Sequence, residues 1–514
     1  MYTSIINYLE KTITLYPEKN AVIDGNKKLT FLELGERAKK VAASIQDFLD
    51  EKRNAPVAVY LDKSEELVVA DIGVSYSGNF FMNLDIKTPK ERIQAILRHI
   101  EPEIIIVDET TREVIDNLLK QENSQTIIMT LETMQNRMLS DVDEINIYNK
   151  LNFQIDTDPS CIINTSGSTG IPKGVILNHK SFFDFLTWST ETFELNEHTI
   201  IGSLSPSVFD IFVYEIWLMA SKGSTIVILN SNMSMFPAKL LQQMKIEKVN
   251  FIFWVPSIMV NIANMDLLKK IDLQDLRLVW FAGEVFPTKQ FNYWRKYLPQ
   301  VEFANLYGPI EITLDCTYYI VKRDFDDSEP LPIGYPCRNT DILILNDTDE
   351  LCTPGEEGEL CVRGTSLAMG YYKNSEKTAQ AFVQNPLNSN YPETIYRTGD
   401  VVYINELGEI VFKGRKDSLI KHMGYRIELG EIEHAVINKL KIVQYCCAVY
   451  NKQKKEITLF YESAKKIEAS EFRKQLIALF PKYMVPVVYI QRDLLPRNTN
   501  GKIDRQKLSN EVNC

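Results

Sequence analysis

Within Asn164-Thr-Ser-Gly-Ser-Thr-Gly-Ile-Pro-Lys-Gly174, four hydroxyl side chains, three glycines and one lysine crowd into eleven residues. The glycines tolerate positive φ, so successive backbone N–H groups can turn towards one point. The hydroxyls of Thr165, Ser166, Ser168 and Thr169 and the ammonium of Lys173 can join them around one anion. That composition suits a polyphosphate. β-prone runs flank the stretch, Cys161-Ile-Ile before it and Val175-Ile-Leu after it, so it reads as a tight loop between two strands. It is not a Walker A loop. The spacing is wrong, and a strand rather than a helix should follow it. A Ser/Gly-rich linker, the alternative, seldom sits between two short strands with a lone lysine after proline.

Other residues with chemical potential are ambiguous singly. Asp400, in Thr398-Gly-Asp, has the form of a turn acid, and Lys502, after Asn500-Gly, that of a surface charge.

The composition narrows the classes of function. A chain of 514 residues with 45% hydrophobic content predicts two or more globular domains. The net charge of −11, without an extended basic patch, argues against nucleic acid as a partner. Eight scattered cysteines without a CxxC spacing suggest neither a zinc site nor a disulfide framework. The first residues lack a basic stretch followed by an apolar core, and no apolar run reaches membrane-spanning length. Cys514 has no residues after it and forms no prenylation box. These features lead us to expect a cytoplasmic protein without membrane contact.

The elements that must position the loop are legible in the hydrophobic pattern. Thr30-Phe-Leu-Glu33 has the form of a capping box, opening a helix with Leu34, Ala38, Val41, Ile45 and Phe48 at helical spacing. Strand-like runs at 57–61, 104–107, 126–129, 225–229, 250–254 and 278–281 alternate with helical stretches. This order implies an α/β fold with largely parallel sheets covered by helices. Gly399-Asp400 and Gly408-Glu409 read as turns in a β-rich region. Beyond about residue 415 the pattern becomes a compact α+β unit: helices from about Gly430 and Ala469, and strands at 445–450, 457–461 and 487–491. We therefore expect a large N-terminal domain, 1–415, and a small C-terminal domain, 416–514.

The motifs, in their order, resemble those of the adenylate-forming enzymes. The chain is most similar to stand-alone amino-acid adenylation domains, a group that includes those of nonribosomal peptide synthetases and the D-alanine–carrier-protein ligases. The resemblance runs from Leu29-Thr-Phe-Leu-Glu-Leu34 to Asn500-Gly-Lys-Ile-Asp504. It rests on the glycine-rich loop, Val208-Phe-Asp-Ile-Phe212, Asn305-Leu-Tyr-Gly-Pro-Ile-Glu311 and Gly358-Glu-Leu-Cys-Val-Arg-Gly364. Tyr396-Arg-Thr-Gly-Asp400, Gly414-Arg-Lys-Asp417, Gly424-Tyr-Arg-Ile-Glu428 and Asn500-Gly-Lys502 complete the set. One such motif is weak; eight in order are specific.

The resemblance implies a two-step reaction. A carboxylate attacks the α-phosphate of MgATP to give an acyl-adenylate and pyrophosphate, and the acyl group then passes to a thiol. It implies that Thr165, Ser166, Gly167, Ser168, Thr169, Gly170 and Lys173 hold the β- and γ-phosphates and that Glu311 helps to bind Mg²⁺. Tyr307 would lie against adenine, within a nucleotide site that also takes in Gly283, Glu284, Asn305 and Gly308. Asp400 would take the ribose hydroxyls with Arg415, and Lys502 would bridge the substrate carboxylate and the nucleotide. Thr165, Glu311 and Lys502 are the expected catalytic residues. Asp417 matches the pivot about which the small domain rotates between the two steps.

Asp210 matches the position at which amino-acid-activating members set a carboxylate against the substrate ammonium; the alternative is a helix N-cap. Ile211, Tyr214, Trp254, Trp280, Ala282, Leu306, Leu314 and Asp315 match the remaining pocket positions, with Lys502 reaching the substrate carboxylate. Trp254 and Trp280 could equally be buried strand aromatics. Three large rings and a second carboxylate favour a small polar amino acid such as serine. D-Alanine is the runner-up, although Ala282 stands where its ligases usually carry cysteine. Ile310 also departs from the family, which usually has threonine there; a neutral hydrogen bond contributes about 0.5–1.5 kcal/mol, so its loss should weaken rather than abolish activity. Ser77-Gly-Asn-Phe-Phe-Met-Asn-Leu-Asp85 departs as well and reads as core packing. Twelve residues follow Lys502, too few for a carrier domain, so the acceptor thiol is expected on a separate phosphopantetheinylated carrier protein. An acyl-CoA ligase on the same fold and a non-catalytic nucleotide binder are the competing readings.

If Lys502 stabilises charge in the adenylation transition state, Lys502→Ala should lower pyrophosphate exchange roughly a hundred- to thousand-fold. Exchange within threefold of the parent chain would refute the role.

Overall fold

The computed structural model describes residues 2–50, 52–122, 125–165, 172–416, 419–463, 465–497 and 503–513. By packing, the chain separates into two compact units. The first comprises residues 1–86, 101–163 and 175–414; the second comprises 87–100, 164–174 and 415–514.

Two large sheets organise the first unit. One has nine strands, and its inner members, Glu302–Tyr307, Leu278–Phe281, Phe251–Trp254, Ile200–Ser203, Thr225–Ile228 and Asn20–Asp24, run parallel. The other has seven, in the order Gly370–Tyr371, Lys173–Asn178, Pro159–Thr165, Phe80–Asn83, Pro56–Val59, Ile104–Val107 and Ile127–Thr130. The parallel inner strands are buried along their length, as expected when helices cover both faces of a sheet. A third, five-stranded sheet is built around Gly358–Gly364 and Thr394–Ile404.

Local chemistry explains where the helices begin. Thr30 Oγ1 accepts from Glu33 N–H at 3.2 Å while the Glu33 carboxylate accepts from Thr30 N–H at 2.9 Å, the reciprocal capping box that starts Phe31–Leu49. Leu34, Ala38, Val41 and Ile45 are buried as expected, but Phe48 is 55% exposed. The buried stripe ends at Leu49, four residues after Ile45, which leaves Phe48 outside it.

The expected turn at Gly399-Asp400 lies instead inside the strand Thr394–Ile404. Its register against Gly358–Gly364 shifts there: Cys361 faces Arg397, yet Glu359, two residues away, faces Val401. Gly399, at φ +72°, takes up the extra length of this bulge. The segment 77–85 is core, as expected, but it also carries a polar network: Asn83 Nδ2 donates to Asp71 Oδ2 at 2.9 Å and to the Ser207 carbonyl at 3.3 Å. Complete burial drives the Asp71 carboxyl well above the usual range.

In the second unit, Cys446–Asn451, Glu456–Glu462 and Val488–Arg492 form a three-stranded sheet packed by Leu429–His434, Ala469–Leu479 and Arg505–Asn513. The helix Lys90–Ile100 packs with this unit, where Arg92 meets the buried Glu431 at 2.6 Å. Burial raises the Glu431 pKa, and the Arg92 cation opposes that shift.

His179 gives the first unit a pH dependence. It is fully enclosed between Phe183, Trp217 and Gln154, and burial lowers its pKa from 6.5 to about 3. The folded state therefore binds fewer protons here than the unfolded chain. Its stabilisation is complete above about pH 6.5 and is lost as pH falls towards 3. Lowering the pH from 7.5 to 5 should remove about 2 kcal/mol through this group. Buried carboxyls such as Asp71 and Glu431 shift stability the opposite way, so the comparison with His179→Gln isolates the term: in urea melts the parent chain should lose about 2 kcal/mol more than the variant between the two pH values, and equal changes would contradict it.

Candidate functional site

The segment from Asn305 to Asp315 leaves the end of the strand Glu302–Tyr307 and folds back on itself. Cys316 N–H returns to the Tyr307 carbonyl at 2.8 Å. The fold-back depends on Gly308: a Cβ there would lie 2.2 Å from the Leu314 carbonyl oxygen and 2.5 Å from Asp315 Cα. Thr313 and Leu314 both adopt positive φ, +54° and +70°, an uncommon conformation for residues with side chains and a mark of local strain.

Three contacts radiate from this segment. At its start, the Tyr307 phenol donates to Asp400 Oδ2; both residues are buried, and the bulge at Gly399 helps to present the acid. Asp400 N–H donates to Thr398 Oγ1 at 3.0 Å, and Thr398 Oγ1 donates to the Leu360 carbonyl at 2.6 Å, so the acid is held by its own strand. In the middle, Glu311, 1% exposed, accepts from the Tyr371 phenol at 2.8 Å. Near its end, Leu314 N–H donates to Asp210 Oδ2 at 3.3 Å.

Asp210 is the first helical residue of Asp210–Lys222, and Phe209 is the N-cap, so the carboxylate does not perform the capping role considered above. It does stand where the helix dipole favours a negative charge. The chain entering this helix is anchored in the core: Lys63 Nζ donates to the carbonyls of Ser203 and Ser205 at 2.9 and 2.7 Å. Burial lowers the Lys63 pKa to about 8 and raises that of Glu215, and each charge partly restrains the shift of the other.

Ile211, Tyr214, Trp280, Ala282, Leu306 and Leu314 all belong to one buried apolar cluster. The rings of Tyr214 and Trp280 are stacked, 5.8 Å between centroids, and the Tyr214 hydroxyl lies 2.9 Å from Ser189 Oγ. Trp254 stands apart from this cluster. Alternation along Phe251–Trp254 turns Ile252 and Trp254 to the opposite face, where the Trp254 indole donates to the Gly202 carbonyl at 2.8 Å. Phe253 faces the cluster instead, 5.4 Å from Trp280 and 6.3 Å from Tyr214. Asp315 is 3% exposed. The indole N–H of Trp280 has no hydrogen-bond acceptor among the described residues.

Asn305 donates to the Pro332 carbonyl at 2.7 Å, which fixes the strand end. Gly283 has φ +87°, and the carboxylate of the following Glu284 accepts from Ser257 N–H at 3.0 Å and from the Ser257 hydroxyl. Glu284 thereby ties the chain after the strand Leu278–Phe281 to the first turn of the helix Pro256–Asn264.

Thr165, Lys173 and Arg415 belong to the second unit. Thr165 Oγ1 donates to the Lys173 carbonyl at 3.5 Å, and Lys173 Nζ lies 3.8 Å from Glu428 Oε2. A strand, Lys173–Asn178, follows the glycine-rich loop as expected, with a helix only from His179. Ser166, Gly167, Ser168, Thr169, Gly170, Asp417 and Lys502 lie outside the described residues. Tyr371 was not singled out from the sequence; Gly370-Tyr371, just beyond the Gly358–Gly364 motif, is its only signal.

No group of three or more His, Cys, Asp or Glu side chains among the described residues could hold a metal ion. Glu311 is a single hard carboxylate, which would suit Mg²⁺ only if most of its other oxygens came from a ligand and water. No helix among the described residues is long and apolar enough to cross a membrane.

Residues 9–372 match the family model described as AMP-binding enzyme. The chain is 29% identical to zwittermicin A synthase ZmaJ of Bacillus cereus over 99% of its own length and 95% of that protein. It is 31% identical to a mycosubtilin synthase polypeptide of Bacillus subtilis over 98% of its own length, but spans only 19% of that relative. Among solved structures, an NRPS protein containing adenylation and PCP domains is similar at TM-score 0.82 and 20% identity, over 99% of this chain and 84% of that one. The o-succinylbenzoate CoA synthetase of Bacillus subtilis is similar at TM-score 0.82 and 19% identity, over 98% of each chain. These two likenesses establish the adenylate-forming fold.

Gly308→Ala tests the fold-back. Because its Cβ would meet backbone, the variant should lose roughly 1–3 kcal/mol of stability, read as a lowered melting temperature. An unchanged melting curve would show that the segment can relax.

Proposed function

Because the chain belongs to the AMP-binding enzyme family and is an AMP-forming ligase, we propose that it activates a small polar amino acid and transfers it to the phosphopantetheine thiol of a separate carrier protein. The observation that carries this reading is the Asp210 carboxylate, fixed by Leu314 N–H beside the apolar cluster of Tyr214, Trp280 and Leu306. A substrate ammonium would pair with that carboxylate, and a short side chain would fit against the rings.

In the first step a substrate carboxylate oxygen bonds to the α-phosphorus of ATP, the bond to the bridging oxygen breaks, and pyrophosphate leaves. Asp400 and Tyr307 would receive the adenosine, with Asn305, Gly283, Glu284 and Gly308 shaping the nucleotide site and Arg415 assisting at the ribose. The glycine-rich loop, from Thr165 to Lys173, would hold the β- and γ-phosphates. Mg²⁺, carried by the triphosphate and held through Glu311, would offset the charge that builds up on its oxygens. Lys502 would bridge the substrate carboxylate and the nucleotide. In the second step the thiolate attacks the acyl carbon and AMP leaves. The segment from residue 416 onward is read as a mobile domain that carries Lys502 and pivots at Asp417 between the steps.

The Asp315 carboxylate, 3% exposed, and the Trp280 indole N–H, without an acceptor among the described residues, are read as polar groups of the substrate pocket; a serine hydroxyl, which both donates and accepts, would suit them. The similarity to an NRPS protein with adenylation and PCP domains supports a carrier as acceptor, while that to a CoA synthetase keeps coenzyme A as the alternative. A carrier-dependent ligase of this kind would work in the cytoplasm.

Pyrophosphate exchange with serine, threonine, 2,3-diaminopropionate, both alanines, phenylalanine and leucine tests the substrate, and carrier against coenzyme A tests the acceptor. We expect serine to lead and Asp210→Ala to lose at least about a hundredfold with it, the cost of breaking a buried charge pair. Strong exchange with phenylalanine or leucine would overturn the small pocket. Equal use of acids lacking the amine would favour the acyl-CoA alternative.

A further inference from the structure

Glu311 is gripped twice by one short segment. Ala368 N–H donates to the Glu311 carbonyl oxygen at 2.8 Å, and three residues later the Tyr371 phenol donates to Oε1 at the same distance. Both partners of the second bond are buried, Glu311 at 1% and Tyr371 at 8% exposure. Tyr371 is itself fastened from several directions. Its backbone N–H donates to Thr378 Oγ1 at 3.0 Å, and that hydroxyl donates to the Asn374 carbonyl at 2.8 Å. Its ring meets Phe382 edge-on at 6.1 Å. Gly370 and Tyr371 pair with Ile176 and Val175, and Met369 N–H donates to the Ile176 carbonyl at 2.9 Å. Val175 and Ile176 lie in the strand that follows the glycine-rich loop in the chain.

A carboxylate turns about its last bond over a broad, nearly two-fold torsional profile. A donor fixed by its own backbone and ring contacts selects one orientation and leaves the second oxygen pointing in a defined direction. Mg²⁺ rewards such definition, because it demands near-ideal octahedral geometry and takes only one or two carboxylates beside phosphate and water.

We propose that Tyr371 is a positioning residue whose phenol sets the Glu311 carboxylate for the Mg²⁺ that accompanies the nucleotide. The proposal rests on the assignment of Glu311 to that ion. Tyr371 touches neither nucleotide nor substrate in this account; it acts through Glu311, as outer partners of metal ligands do, and their loss typically weakens metal binding about 10–100-fold.

Calorimetric titration of the full chain with ATP, in Mg²⁺ or in EDTA and without amino acid, separates positioning from structure because no chemistry takes place. Tyr371→Phe should bind MgATP about tenfold more weakly while its affinity for metal-free ATP stays within about twofold. Glu311→Gln should lose MgATP affinity similarly. If Glu311→Gln is weakened and Tyr371→Phe is not, the positioning role falls and the assignment of Glu311 stands. If neither is weakened, the assignment of Glu311 falls and takes this proposal with it. Equal weakening with and without metal would make Tyr371 a purely structural residue and overturn the proposal. Should Tyr371→Phe fail to fold, 4-fluorophenylalanine at 371 fills the position without a donor, and an MgATP affinity equal to that of the parent chain would overturn the role.

Discussion

The close approach of residue 308 to the backbone of Leu314 and Asp315 is the constraint on which the site depends. Only a residue without a side chain permits it. With the chain folded back there, three contacts that differ in chemistry emerge from one short segment: Tyr307 to Asp400, Glu311 to Tyr371 and Leu314 to Asp210. In the proposed function these serve adenosine, metal and ammonium respectively. Positive φ at Thr313 and Leu314 is the conformational cost of turning an N–H, rather than a side chain, towards Asp210.

The parallel sheets supply the rigid frame. Because side chains alternate along a strand, each strand contributes to two separate cores. Phe253 and Trp280 face the cluster beside Asp210, while Trp254 and Phe281 face the other. The ionisable groups inside this frame are individually costly to bury and are accordingly tied down. Lys63 is engaged by two carbonyls, and Asp71 is engaged by Asn83, whose amide also holds the chain leading into the helix at Asp210.

Much of this was legible in the sequence because local rules sufficed. The capping box at Thr30, the strand runs and the strand after Lys173 follow from patterning within a few residues, and the ordered motifs brought out the family. What escaped depended on register or on distant neighbours. Gly399-Asp400 has turn chemistry, yet its partner strand at Glu359 and Cys361 makes it a bulge. Trp254 is the more conspicuous residue, but one step of alternation turns Phe253, not Trp254, towards Tyr214 and Trp280. The role of Phe48 was decided by whether the buried stripe ends three or four residues after Ile45. Tyr371 and Glu311, sixty residues apart, reveal their relation only through a hydrogen bond.

The central claim is that the fold-back from Tyr307 to Asp315 receives nucleotide at one end and amino acid at the other. A crystal structure with a non-hydrolysable seryl-sulfamoyl adenosine tests it most directly. The account predicts ribose hydroxyls on Asp400, adenine along Tyr307 and the ligand ammonium on Asp210. An analogue whose ammonium lies away from Asp210, or whose ribose lies away from Asp400, would contradict it.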